Sequence, residues 1–324
     1  MPLTVDPYDG PAGGSTDPRS SSSDTTTKAS AEQVTGLVRI VSTMKYDGAR
    51  AAGTGMVLTS TGEVVTNHHV VEGATSIKVE VMSSGRSYVA TVVGTDAKDD
   101  VAVLQLAGAS GLSTVTPDTD GISVGDRVTA VGDANGTVDR LSAAGGTVLA
   151  TGRTITTQDE TTASGERLTG LVEISSDVVS GDSGGATYDS DGEVVAMTTA
   201  ASNGGADVVG YGVPIAKVLR IAGDLEGGVT RSRYDYGSPA FIGVALARAG
   251  TAVAGVYAGT PADAAGISAG DRLTAVGSRK VRTAEQLHAA VARLSPGDRT
   301  TVTWTDIAGA SHTRTLTLGT GPVE

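Results

Sequence analysis

Residues 180 to 188 read SGDSGGATY, which sets Ser183 between an aspartate and two glycines in a region otherwise rich in Thr and Val. Such a stretch is either a surface turn or a nucleophile whose backbone neighbours must approach a substrate closely. A serine becomes a nucleophile when a base within hydrogen-bond reach takes its proton and a carboxylate orients that base. The chain has four histidines to weigh as that base. His288 and His312 fall in a helical and a strand-like segment of the C-terminal part and read as surface or packing residues. His68 and His69 stand together in VVTNHHVV, just after a strand-like run. Asp99 and Asp100 open the apolar strand of AKDDVAVLQL, where a carboxylate can be held at a barrel edge. The candidates therefore run His, Asp, Ser along the chain. The N–H groups of Gly181 and Ser183 can converge on an oxyanion, and side chains around them would obstruct the approach.

The elements that must carry these groups are mostly strands. GLVRIVSTM, GTGMVL, TSIKVEV and DVAVLQL are short β-type runs divided by Gly, Ser and Asp turns, and a second series runs from DRVTAVGD to VGYGVPI. Many short strands at turn-punctuated spacing predict a sandwich or paired barrels. A crossing between the halves falls near residues 114–123, and PIAKVLRIAGDL has the spacing of a closing helix. Residues 1–33 are polar and rich in Ser and Thr, and read as a disordered tail or linker. A β-rich domain then spans 34–225, residues 226–237 read as a second linker, and 238–324 form a small α+β domain.

Composition narrows the function. The 324 residues carry a net charge of −12, and no basic block is present to neutralise phosphates, which argues against a nucleic-acid partner. The absence of cysteine excludes disulfides, thiolate metal sites and a cysteine nucleophile. No apolar run reaches the length of a membrane span. The opening MPLTVDPYDG has neither the basic nor the apolar segment of a signal peptide, so an upstream anchor would lie outside these residues. No metal or organic cofactor is expected.

Together TNHHVV, DDVAVLQL and GDSGGA, with GTGMVL before them, resemble the HtrA/Deg branch of the chymotrypsin-like serine proteases. The resemblance covers about residues 35–320. Its layout of one protease domain and one C-terminal PDZ domain is similar to that of secreted or membrane-tethered actinobacterial members. It implies a mostly β fold, with a double β-barrel followed by a PDZ domain. It also implies a serine endopeptidase acting on unfolded or exposed chains, in protein quality control or processing outside the cytoplasm. The histidine directly before the paired valines matches the general base, which makes His69 that base and His68 the lesser candidate. Asp100 matches the orienting carboxylate ahead of Asp99, Ser183 matches the nucleophile, and Gly181 and Ser183 supply the oxyanion hole. Asp177, Val178, Thr198, Thr199, Ala200 and Gly212 are implied to line the substrate cleft, with Gly212 leaving room in the pocket. In AFIGVAL, the N–H groups of Ile242, Gly243 and Val244 would receive a peptide C-terminus. Phe241, Leu287 and Val291 would flank it, although Phe241 reads equally well as a core residue.

The chain departs from the family at several positions. Asp182 stands where Asn is usual, Ser180 stands where Pro is usual before Gly181, and Ala186 replaces a common proline. Asp177 lies where trypsin-type enzymes keep the acid that selects Lys or Arg, so basic and aliphatic P1 preferences both stay open. Two other classes compete. One is a latent chaperone or peptide-binding scaffold, supported by Ser180 and Asp177. The other is an esterase, which would need a G-x-S-x-G turn between strand and helix. Family trimers rest on aromatic contacts near the start of the protease domain, where this chain offers little beyond Tyr8. Between monomer and trimer, the monomer is expected.

Overall fold

The computed structural model describes residues 4–5, 26–118, 120–134, 140–158, 167–176, 178–179, 181–202 and 209–324. The chain divides into two compact units, the first reaching Tyr236 and the second containing Gly237–Glu324. Among the described residues no helix is long and apolar enough to cross a membrane.

The first unit holds two closed antiparallel barrels. In one, the strands Arg86–Asp96, Ser76–Val81, Leu37–Met44, Ala49–Val57, Glu63–Thr66 and Val101–Leu106 pair in that order, and the last pairs back onto the first. In the other, the order is Ser142–Gln158, Arg167–Ile174, Gly210–Pro214, Val194–Ser202, Ala186–Tyr188 and Arg127–Gly132, closed by the pairing of Arg127–Gly132 with Ser142–Gln158. Closure removes free edges, which a chain with this many β-branched residues needs to stay unaggregated. The alternation in SIKVEV turns Ile77, Val79 and Val81 inward, while VAVLQL is buried almost throughout. The connection between the barrels bridges them over residues 115–118. Val115 donates its N–H to Val57 in the first barrel, and Asp118 donates to Val194 in the second. The helix Ile215–Glu226 buries Ile215, Val218, Ile221, Ala222 and Leu225 along one stripe against this core.

Two segments are more ordered than their composition implies. Within the expected tail, Thr27–Lys28 pairs with Ser142–Ala143, and Ser30 caps the short helix Ala31–Val34 in a reciprocal box with Gln33. Residues 6–25 lie outside the described residues. Within the expected linker, Tyr234–Tyr236 adds to the first barrel as a strand beside Gly94–Asp96. Tyr234 is buried there, so an aromatic side chain anchors a segment that polarity and glycines marked as open.

The second unit is built on the sheet Arg279–Lys280, Arg272–Val276, Arg299–Thr305 and Ser311–Thr317. Its core gathers Leu273, Val302, Trp304 and Leu316 under the helix Ala284–Val291, which contributes Leu287 and Ala290. Thr283 caps that helix by accepting the N–H of Gln286, and Thr260 caps the helix Pro261–Ala265. The strand Val244–Leu246 pairs with Val253–Val256 on one side only.

Candidate active site

His69 and Asp100 come from the same end of one barrel seam, where Thr66 pairs with Ala102. The short helix His68–Val71 follows the strand Glu63–Thr66, and Asp100 precedes the strand Val101–Leu106 that pairs with it. The Asp100 backbone is left-handed, with φ 54° and ψ 50°, and among the described residues it is the one non-glycine with positive φ. Asn67 Nδ2 donates to the Asp100 carbonyl at 2.9 Å and holds this turn. The Asp100 carboxylate then accepts the His69 backbone N–H at 3.1 Å and meets Nδ1 at 2.9 Å. The hydroxyl of Thr199 donates to the same carboxylate. Full burial pushes the Asp100 carboxyl up, but the charge and hydrogen bonds of His69 and the Thr199 hydroxyl outweigh it and hold the group below the usual range. His69 Nδ1 faces Asp100, and Nε2 is buried without a partner among the described residues. Ser183 reaches the cluster from the other barrel, donating its Oγ to the Thr199 carbonyl at 3.4 Å. Thr199 thus touches the serine with its main chain and the aspartate with its side chain.

The alternatives within each pair separate cleanly. His68 is buried with both ring nitrogens unpartnered, whereas His69 faces the carboxylate. Asp99 turns away from His69 to Lys217 and Arg233.

Both parts of the chain match known domain families. Residues 53–197 match the trypsin-like peptidase domain, and residues 253–305 match the PDZ domain. The periplasmic serine endoprotease DegP of Escherichia coli is 29% identical over 267 residues, covering 78% of this chain and 54% of that protein. Serine protease PepD of Mycobacterium tuberculosis is 30% identical over 291 residues, covering 82% of this chain and 60% of the relative. The chain thus carries a trypsin-like peptidase domain followed by a PDZ domain and is similar to the Deg-type serine endoproteases. A crystal structure of the serine endoprotease from Yersinia pestis has the same fold, with a TM-score of 0.52 at 23% identity, covering 91% of this chain and 99% of that one. The chain spans about half the length of the E. coli relative it matches.

The glycine-rich serine turn has an internal reason here. Gly184 has φ +81°, and a Cβ on it would fall on the Thr54 carbonyl oxygen and the Thr66 hydroxyl. A Cβ on Gly185 would fall on the Val131 carbonyl oxygen. These glycines let the serine turn press against the backbones of both barrels. Thr54, the middle residue of GTG, donates its hydroxyl to the Gly181 carbonyl at 2.8 Å and accepts the Asp133 N–H at 2.9 Å. Replacing Gly184 by Ala adds an overpacked methyl, worth roughly 1–3 kcal/mol, to left-handed strain of about 1–2 kcal/mol. The expected loss of about 3 kcal/mol is read from the midpoint of chemical denaturation.

Asp182, next to the serine, is buried, and its Oδ2 accepts the Val179 N–H at 2.9 Å while Oδ1 has no partner. Burial pushes this carboxyl up to about 7, the Val179 N–H pulls it down, and the Asp133 charge adds to the rise. Asp133 pairs with Arg39 at 2.8 Å. A carboxyl that binds its proton more tightly when folded makes stability fall as pH rises from its unfolded value near 3.9 to about 7. Asp182→Asn removes that loss. The variant is expected to melt higher than the wild type at pH 9, by up to a few kcal/mol of stability, and together with it at pH 4. Paired melts at the two pH values check this.

The remaining predicted site residues fall into two groups. Thr198, Thr199 and Ala200 share the strand Val194–Ser202 beside the serine turn. Asp177 lies outside the described residues, as does Ser180. Val178 is packed with Val128, Val148, Val172 and Ile174 in the core of the second barrel rather than open to a cleft. Gly212 is explained by its neighbours, since a Cβ there would meet Ala196 Cβ at 3.0 Å and the Met197 carbonyl at 3.1 Å. Asn67, Thr54 and the Thr199 hydroxyl went unassigned in the sequence because nothing local marks a threonine or asparagine as a positioning group. Asp118, Asp189 and Glu193 bring carboxylate oxygens within 4.8 Å of one another. The carboxylates of Asp118 and Asp189 are already used by backbone N–H groups of their own turns.

In the second unit, Ile242 and Leu287 are buried core residues, and Phe241 is half-buried with its ring 6.1 Å from that of Tyr257. Val291 and Val244 pack at the edge of the core. Gly243 has φ +95°, and a side chain there would collide with Thr260, which keeps the turn before Val244 tight.

Proposed function

We propose that the protein is a serine endopeptidase that cleaves unfolded or exposed protein chains through an acyl-enzyme. The observation that carries this reading is the circuit in which Asp100 holds His69 by Nδ1, Thr199 holds both Asp100 and Ser183, and Nε2 is left without a partner among the described residues. Ser183 turns its hydroxyl from the Thr199 carbonyl towards His69. As Oγ bonds to the peptide carbonyl carbon, Nε2 takes the proton. The oxygen that gains the negative charge is met by the N–H groups of Gly181 and Ser183. The intermediate collapses when His69 passes its proton to the leaving amine, and water repeats the sequence to release the acid and restore the serine. Asp100 fixes the imidazole tautomer and stabilises the imidazolium. Thr198 holds the serine turn through its own backbone, and the following Thr199 and Ala200 present the main chain to the substrate.

The PDZ domain receives peptide C-termini at the Phe241–Val244 turn. The half-paired strand Val244–Leu246 supports this, since a peptide can add along its open side beside Leu287 and Val291. The reading places the enzyme outside the cytoplasm, as a monomer, in protein quality control or processing. It needs no metal or organic cofactor. The test is a fluorophosphonate probe followed by peptide mapping, with and without hydrophobic C-terminal peptides. An adduct on Ser183 is the expected outcome, and labelling that requires peptide makes the PDZ domain an activator. No adduct under any condition replaces this reading with the binding-scaffold one.

A further inference from the structure

Asp100 keeps its catalytic geometry only while its left-handed turn is held, because this backbone conformation costs any residue with a Cβ, aspartate and asparagine less than most. Asn67 and His69 hold the turn from the side of the active site. From the other side it is held through the preceding residue. Asp99 is 6% exposed, and each of its carboxylate oxygens meets a different cation. Lys217 Nζ, on the helix Ile215–Glu226, lies 2.6 Å from Oδ1, and Arg233 Nη1 bonds Oδ2. Arg233 Nη2 also sits 3.3 Å from Oδ2 of Asp96, which is fully buried and opens the same turn. Two buried carboxylates thus bracket the turn, and two cations from elsewhere in the chain balance them.

Arg233 is itself fixed. Its guanidinium lies 5.2 Å from the Tyr234 ring centroid, and the Tyr234 hydroxyl donates to Asp224 at 2.9 Å. The next residues, Tyr234–Tyr236, pair with Gly94–Asp96, the strand end that runs into the catalytic turn. This strap leads directly to Gly237, the start of the C-terminal stretch of the second unit. We infer that Arg233 is a positioning residue for the proposed peptidase reaction, acting through Asp99 on Asp100, so that the strap leading to the PDZ domain sets the alignment of His69. The inference rests on the function proposed above. The electrostatics agree with it. Burial raises the Asp99 carboxyl, yet Lys217 and Arg233 bring it below the usual range. Burial and the Asp99 charge push Asp96 up to about 6, with Arg233 opposing. Without Arg233, two buried carboxylates face each other across the turn with Lys217 alone, and the turn opens or takes up a proton.

The test compares the full-length wild type with Arg233→Gln, Arg233→Lys and Asp99→Asn. The first readout is kcat and KM for a short peptide substrate across pH. The second is the far-downfield proton resonance of an imidazole N–H bonded to a carboxylate. Arg233→Gln is expected to lower kcat by up to about a hundredfold with KM unchanged, the scale of a small misplacement at the reacting atoms. The acid limb of its kcat/KM profile moves to lower pH, because an imidazole that loses its carboxylate partner is protonated less readily. The downfield resonance weakens or shifts, Arg233→Lys restores most of both signals, and Asp99→Asn reproduces the Gln variant. Adding Arg233→Gln to Asp99→Asn has little further effect, since both break the same link. Unchanged kcat and an unchanged resonance in a folded Arg233→Gln or Asp99→Asn protein overturn the inference. So does a parallel loss in which Arg233→Lys fails to rescue. Should Arg233→Gln fail to fold, Asp99→Asn carries the same test. A wild type without hydrolysis, but with a resonance that responds to Arg233, removes the proposed activity and leaves the positioning role standing.

Discussion

Ser183→Ala is expected to abolish the fluorophosphonate adduct and to lower kcat for peptide hydrolysis by about six orders of magnitude, the scale of losing a triad serine. The change deletes one oxygen. With it goes the 3.4 Å hydrogen bond to the Thr199 carbonyl, a weak one at that length. The backbone is held independently, by Thr54 N–H on the Ser183 carbonyl at 2.8 Å and Gly184 N–H on the Thr198 carbonyl at 2.8 Å. The variant should therefore fold with an unchanged melting temperature, which separates loss of chemistry from loss of structure. Hydrolysis that survives the substitution assigns the activity to another nucleophile.

Asp100→Asn is expected to keep the fold and lower kcat by about four orders of magnitude. Asparagine tolerates the left-handed backbone that Asp100 adopts, so the turn survives. The chemistry does not. Asp100 accepts from His69 Nδ1, from the His69 backbone N–H and from the Thr199 hydroxyl, three donors on one carboxylate. An amide must present an NH2 to one of them. Aimed at Nδ1, it forces the imidazole proton onto Nε2, where the serine proton has to go. Since these donors hold Asp100 below the usual carboxylate range, its contribution to stability is present above the unfolded value near 3.9 and is lost as pH falls through the folded value. Stopped-flow or steady-state kinetics with circular dichroism on the same sample check the prediction. Asp99→Asn is expected to be far milder, because that carboxylate never touches the imidazole.

Much of the site was legible because its chemistry is local. A histidine before paired valines, an aspartate heading an apolar strand and a serine among glycines are each short stretches, and their order along the chain is enough to suggest acyl transfer. The β-rich architecture was equally legible, since turn-punctuated runs of Val, Ile and Thr admit few alternatives. Local patterns did less well where a single side chain reverses them. Polarity marked residues 27–33 as tail, yet Ser30 and Gln33 cap a helix there. Glycines and charges marked 226–237 as linker, yet buried Tyr234 pins its end to the first barrel.

Residue types and their order along the chain were enough to suggest the reaction class, the strand content and the neighbourhood of each candidate catalytic group. Choosing between neighbours took the folded chain. His68 and His69, or Asp99 and Asp100, are identical in type and adjacent in the chain, so composition and spacing treat them alike. Folding turns them in different directions, one histidine towards the carboxylate and one aspartate towards the cations of Lys217 and Arg233. Folding also gives the glycines their purpose. Gly184 and Gly185 lie against Thr54, Thr66 and Val131, residues from distant strands that only barrel closure brings to the serine turn. The same closure gives Thr199 its two roles and carries Arg233 back to Asp99 across 134 residues of sequence separation. Contacts at that separation leave no periodicity to read, because they depend on where the strands meet.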